Sequence, residues 1–382
     1  MMAPADLVRH FEAGLGDALA LLRILVDMES CSSDKPAIDR LAVFLAGEFA
    51  ARGAQAEVLP SAASGNALRA VRRGAGSARP IMMLGHLDTV WPRGTVAARP
   101  FALRDHRAFG PGVLDMKSGI LLCLMVCGAL RDQQRLLAGD VIFFFTADEE
   151  TGTASGLPLL RAAASECRAV LCLEPPLPGG KAKTFRKGVG SFQLSVTGIG
   201  AHAGVDHEKG ANAILELSRQ VIHLQRMTCY DRGNTVSVGA IRGGSAVNVV
   251  PDRAEAEVDF RFRTLVEGRR LEKRIRQLRP HDFRCSLHWQ GGINRPPLER
   301  TTAGMALYHE AKAIAAAIGM DLGEGETGGG SDGSYTAALG VPTLDGLGVD
   351  GNGAHAADEH ILISDIPCRA ALLSLLAQEL LQ

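Results

Sequence analysis

Five short stretches of the chain carry side chains able to bind metal or move protons. GHLDTV sets His86 and Asp88 two residues apart, so along an extended strand both point to one face. His86 could ligate a metal through one ring nitrogen while Asp88 accepts the N–H of the other, a common support for a ligating histidine. GPGVLDMKSG places Asp115 behind a glycine-rich loop, where it could ligate a cation or cap a helix. TADEET puts Glu149 and Glu150 side by side at the end of an apolar run, and adjacent carboxylates call for a compensating charge or for solvation. Glu174 ends LCLEPP, and His355 lies in the glycine-rich GNGAHAADEH.

Each stretch alone reads two ways. Together, His, Asp, Glu, Glu and His form the donor mixture that two divalent metals about 3.5–4 Å apart require, with one carboxylate bridging. Imidazole and carboxylate without thiolate favour zinc in a catalytic rather than a structural role. A remaining carboxylate can act as base towards an attacking water. The eight cysteines (Cys31, Cys123, Cys127, Cys167, Cys172, Cys229, Cys285 and Cys368) form no C-x-x-C pair and read as reduced thiols. Cys123 and Cys127, four apart in GILLCLMVCGAL, fit a buried helix face better than a metal site.

The elements that must position these residues follow from the apolar pattern. A helix is expected over 36–52, ending at Gly53, then a strand in ARPIMMLG, a helix from about Lys117 to Leu130, and strands in VIFFFTA and RAVLCLE. Apolar strands alternating with helices predict an α/β fold, a mainly parallel sheet covered on both faces. Ligands of such sheets bind outside the carboxyl ends of the strands, where these motifs fall. After Glu174 the break PPLPGGK changes the pattern. From about 184 to 296 the order is strand, helix, strand, strand, helix, strand: SFQLSVTG, Gly210–Arg226, NTVSVGAI, AEAEVDFRF, Val266–Leu278 and FRCSLHW. That is the split βαβ order of a ferredoxin-like α+β module. The expected organisation is a discontinuous catalytic domain, 1–183 and 297–382, around an inserted domain, 184–296.

A length of 382 residues makes two domains the default. With 41 basic and 42 acidic side chains, formal net charge is −1, which offers no electrostatic ground for nucleic acid or an anionic membrane as partner. No apolar run is expected to reach the roughly 18 residues of a membrane span. The N-terminal MMAPADLVRHFEAGLGDALALLRILVDMES reads as one amphipathic helix without the features of a signal peptide, so the expected location is the cytoplasm.

The motifs GHLDTV, GPGVLDMKSG, TADEE, LCLEP, AHAG, NVVPDRAEAEVDFR, TGGGSDGSYTAALGVP and GAHAADE resemble those of the aminoacylase/carboxypeptidase (ArgE/DapE) family of dinuclear zinc exopeptidases, glutamate carboxypeptidases most of all. The resemblance runs from about residue 20 to 380. It implies two Zn²⁺ per chain, with Co²⁺ or Mn²⁺ as substitutes. It gives His86 and Glu174 to one metal, Glu150 and His355 to the other, Asp115 to both, Glu149 to the general base, and Asp88 to orienting His86. It implies a cis peptide between Asp115 and Met116. In the inserted domain His202 matches a histidine supplied across a dimer interface to polarise the scissile carbonyl, Asn248 a substrate-contacting asparagine, and Arg295 an arginine that pairs with the substrate's α-carboxylate. Thr327, Gly328, Gly329 and Gly330 match a loop lining the substrate pocket. His207, His281, His288 and His360 match no ligand position.

The chain departs from that pattern between Glu174 and Gly188, a segment about two residues longer than in glutamate carboxypeptidases, where either Lys181 or Lys183 could meet a glutamate side chain. The expected substrate is a small peptide or N-acyl amino acid with a C-terminal carboxylate, glutamate favoured. An aminoacylase or dipeptidase of other side-chain preference, and a metal-free binding protein on the same fold, are the alternatives. The inserted domain's alternating strands leave a face and an edge that need cover, so a two-fold homodimer through it is expected.

Overall fold

Ile142, Phe143, Phe144 and Phe145 send successive side chains to opposite faces of a six-stranded sheet, and both faces are buried. In the computed structural model, which describes residues 3–132 and 137–382, the chain divides into two compact units. One comprises Met1–Phe185, Arg300–Thr327 and Ser331–Gln382, the other Arg186–Glu299 and Gly328–Gly330.

The sheet belongs to the first unit. Its spatial order is Gln55–Leu59, Ala67–Arg72, Gly139–Thr146, Ala78–His86, Ala169–Cys172 and Thr343–Leu344. The last four are mutually parallel, while Ala67–Arg72 pairs antiparallel with both Gly139–Thr146 and the edge strand Gln55–Leu59, two strands that the apolar pattern does not announce. Period-two alternation splits the core. Ile81, Met83, Val141, Phe143, Phe145 and Leu171 pack under the helices Lys35–Ala51, Ser118–Asp132 and Asp365–Leu380. Met82, Leu84, Ile142, Phe144, Val170 and Cys172 pack on the other face, against Leu157–Ser165 and Gly333–Ala338.

Two sequence expectations need correction here. The N-terminal segment is two helices, Pro4–Ala13 and Leu15–Asp27, separated at Gly14. The segment Val113–Arg131 is, contrary to expectation, long and apolar enough to cross a membrane by length and composition. Most of it is buried inside the protein, as suits a helix packed between the sheet and the C-terminal helix. All eight cysteines are free thiols.

The second unit is a four-stranded antiparallel sheet, ordered Thr235–Gly243, Arg253–Phe262, Gly188–Thr197 and Ser286–Arg295. Helices Ala213–Gln225 and Leu265–Arg276 pack on one face of it, giving strand, helix, strand, strand, helix, strand along the chain. Buried and exposed residues alternate strictly along Arg253–Val258, so the opposite face is open. The last strand begins at Ser286 rather than within Phe283–Cys285 and runs on to Arg295.

Candidate metal centre

Strand register brings the centre together. His86 is the final residue of Ala78–His86 and lies level with Thr146, and Leu84 of the same strand lies level with Cys172. The three strands therefore end together. The next few residues, Glu149 and Glu150 on one strand and Glu174 on another, gather around His86 at the carboxyl edge of the sheet. Asp115 reaches the same place from a kinked segment, Val113–Lys117, that enters through Gly112 at φ 71° and contains a cis Asp115–Met116 peptide. Glycines permit the fit: a Cβ on Gly85 would lie 2.7 Å from Met116 Cε, and one on Gly119 only 2.5 Å from the Leu173 carbonyl oxygen. His355 arrives from the closing loop with φ 61°.

Asp115 faces both histidines. Its Oδ1 lies 3.1 Å from His86 Nε2, and its Oδ2 lies 3.4 Å from His355 Nε2. Glu174 Oε1 stands 3.6 Å from His86 Nε2, and Glu150 Oε1 stands 3.3 Å from His355 Nε2. The donor atoms of His86, Glu149 and Glu174 lie within 4.8 Å of one another, as do those of His86, Asp115 and Glu150. The sequence-derived set of His86, Asp115, Glu149, Glu150, Glu174 and His355 is thus assembled in one place.

The electrostatics ask for cations. Five carboxylates (Asp88, Asp115, Glu149, Glu150 and Glu174) surround two imidazoles. Hydrogen bonds to Asp115 and Glu150 hold His355 up to about 10. Burial opposes charging of His86, yet Asp115 and Asp88 outweigh it and raise its pKa well above the usual imidazole range. Burial likewise opposes ionisation of Asp115, and the two histidines overcome it, holding the carboxyl below its usual range. An anionic donor set that otherwise draws protons onto its histidines fits a pair of divalent cations.

Asp88 meets the His86 ring through its backbone and its side chain, and its carboxylate does more besides. His86 Nδ1 lies 2.9 Å from the Asp88 backbone carbonyl and 3.5 Å from its carboxylate. The fully buried carboxylate accepts the amides of Glu149 at 3.1 Å and Glu150 at 3.2 Å, and the Ser32 hydroxyl at 2.7 Å. Ser32 is not legible in the sequence, because a lone serine in a loop carries no spacing signal. Glu359 carries one signal in the sequence, since it ends the motif GAHAADE, four residues beyond His355. It is buried against the segment that carries Asp115.

In the second unit, His202 and Asn248 stand on paired segments: His202 is level with Val249, and the Ala203 amide donates to the Asn248 carbonyl at 2.9 Å. The amides of Gly204 and Val205 both donate to His202 Nδ1 at 3.2 Å. That assigns the proton to Nε2 in the neutral ring, leaving an exposed donor. Arg295 is half-buried at the end of its strand. Gly328–Gly330 belong to this unit, and Arg186, a residue without a sequence signal, donates to the Gly330 carbonyl at 2.9 Å and the Gly329 carbonyl at 3.3 Å. Thr327 ends the strand Glu324–Thr327 in the first unit. Of the two lysines there, Lys183 is buried in the strand Ala182–Arg186, while Lys181 is exposed and lies along Gly323.

Comparison with known proteins agrees with this geometry. The model of Peptidase family M20/M25/M40 matches residues 82–379. Carboxypeptidase G2 of Pseudomonas sp. (strain RS-16) is 28% identical over 382 residues, covering 97% of this chain and 91% of that protein. Succinyl-diaminopimelate desuccinylase of Delftia acidovorans (strain DSM 14801 / SPH-1) is 29% identical over 327 residues, 78% of this chain and 81% of that one. Among solved structures, aminopeptidase PepT from Bacillus cereus ATCC 10987 superposes with a TM-score of 0.76 at 19% identity, covering 96% of this chain and 99% of its own. The Bacillus subtilis YXEP protein, described as a dinuclear metal binding peptidase, gives 0.73 at 16% identity over 97% and 99%.

Proposed function

Because the chain belongs to Peptidase family M20/M25/M40 and is a metallohydrolase of that family, we propose that it is a two-zinc exopeptidase that cleaves the amide bond before a C-terminal amino acid, with glutamate favoured. The observation that carries the reading is Asp115, one oxygen towards His86 and the other towards His355. His86 and Glu174 would hold one metal, Glu150 and His355 the other, and Asp115, which faces both histidines, would be a ligand to both. When bound, such a pair acidifies water, lowering its pKa towards about 7, and polarises a carbonyl.

The chain's own residues supply the rest. Glu149 takes a proton from the attacking water and delivers it to the leaving amine. His202, with its Nε2 proton fixed by the Gly204 and Val205 amides, donates to the developing oxyanion, where preorganised donors count most. Arg295 pairs with the α-carboxylate in the planar two-point manner that suits guanidinium, which restricts cleavage to chain ends. Asn248, Thr327 and Gly328–Gly330 contact the substrate in this reading. Lys183 is the partner for a glutamate side chain, since a buried ammonium discriminates more strongly than a solvated one. The exposed Leu215 and Ile222 on helix Ala213–Gln225, and Ile241 on the edge strand Thr235–Gly243, support a homodimer through the second unit. Eight free thiols support a reducing, cytoplasmic setting.

The test is metal analysis together with a panel of N-acyl amino acids differing in the C-terminal residue. About two zinc ions per chain and the highest kcat/KM for glutamate are expected, with the glutamate preference lost in Lys183→Met. Preference for an apolar residue would make the protein an aminoacylase or dipeptidase instead. Absence of bound metal and of turnover would make it a binding protein.

A further inference from the structure

Glu359 holds a position that the reaction as described does not use. The side chain is 2% exposed, and both oxygens are saturated by donors. Oε1 accepts the amides of Leu114 at 2.9 Å and Asp115 at 3.0 Å. Oε2 accepts the amide of Gly112 and the indole N–H of Trp91, each at 2.8 Å. Three of the four donors are consecutive or nearly consecutive amides of the segment that carries Asp115, a backbone concavity of the kind that receives anions. Here the anion is supplied by the protein itself. Glu359 also lies four residues past His355 in the same closing loop, and its carbonyl takes the Gly110 amide at 3.4 Å. One side chain therefore ties the Asp115 segment to the loop that delivers His355.

We propose that Glu359 is a positioning residue for the metal centre, setting the Asp115 backbone so that its two carboxylate oxygens face His86 and His355. The inference rests on the metal-centre reading above. Its physical basis is that charge-assisted bonds from a buried carboxylate to backbone amides are short and strong, and a bridging ligand tolerates little displacement. Glutamine is nearly isosteric at this position but turns one acceptor into an NH₂ donor, which would face two N–H donors. Removing such an outer partner costs roughly 10–100-fold in metal affinity.

The experiment titrates metal-free wild type and Glu359→Gln with Co²⁺ against a chromophoric chelator, recording the Co²⁺ d–d spectrum and the far-ultraviolet circular dichroism. Wild type is expected to take two equivalents. Glu359→Gln is expected to keep the dichroism, bind at least one equivalent roughly 10–100-fold more weakly, and show an altered d–d spectrum. Two equivalents bound with wild-type constants and spectrum would overturn the proposal. A wild type that binds no Co²⁺ would overturn the metal-centre reading and this inference with it, so the two failures are separable. If Glu359→Gln does not fold, Glu359→Asp, with both acceptors on an arm one methylene shorter, enters the same titration. Weakened binding there supports the proposal, and wild-type constants overturn it.

Discussion

The Asp88 carboxylate accepts the backbone amide of Glu149 at 3.1 Å. The segment that follows His86 is thereby fastened to the turn bearing the adjacent glutamates, and the Glu150 amide and Ser32 hydroxyl share the same carboxylate. Asparagine keeps one acceptor but presents an NH₂ group to the remaining donors. Asp88→Asn is expected to lower kcat by about 10–100-fold and stability by about 1–3 kcal/mol. Steady-state kinetics and denaturant midpoints measure both, and an unchanged kcat would deny Asp88 its role in placing Glu149.

Glu149→Gln is expected to abolish turnover while two metals and substrate still bind. The amide has nearly the same shape and keeps an acceptor but cannot take up a proton, so the loss should appear in kcat rather than KM. Activity above about a tenth of wild type would remove Glu149 from the general-base role, whose contribution is typically about 100–10,000-fold.

If His202 serves the partner's site in a dimer, two inactive chains can repair each other. Mixing Glu149→Gln with His202→Ala chains produces mixed dimers in which one site combines an intact Glu149 with an intact His202. With free exchange about half the dimers are mixed, each with one working site of two, so about a quarter of wild-type activity should return. No recovery despite demonstrated subunit exchange would show that His202 acts within its own chain or not at all.

Glu216 gives the second unit a pH dependence of its own. Burial works against its charge, but the Gln220 side chain at 2.6 Å and the His281 and Asp282 amides at 3.0 and 3.1 Å prevail and hold its pKa below the usual 4.5. A depressed folded-state pKa contributes stability that is present above the unfolded value and fades as pH falls through the folded one. Wild type should therefore exceed Glu216→Gln in stability at pH 7, and the gap should close below about pH 4.5. Chemical denaturation at a series of pH values measures this, and a gap independent of pH would refute it.

Much of the centre is legible in the sequence. An apolar strand followed at once by a histidine or glutamate, as in IMMLGH, VIFFFTADEE and AVLCLE, already places chemistry at the edge of a buried sheet. The boundary of the four-stranded module was legible for a similar reason, because alternation replaces continuous apolarity where only one sheet face is covered. The antiparallel strands Gln55–Leu59 and Ala67–Arg72 were not, since QAEVL and ALRAVR are short and polar residues interrupt both, with no apolar run or clean alternation.

By itself, then, the order of residues determined which donors this protein can offer and which strand ends present them. Those depend on local periodicity and on the chemistry of side chains a few positions apart. Tertiary structure alone decided what each donor faces. The partners of the Asp88 carboxylate lie 56, 61 and 62 residues away in the chain, and those of Glu359 lie 244 or more residues away. No spacing rule reaches that far. A buried carboxylate takes the donors that packing brings to it, and packing is settled by the whole core at once.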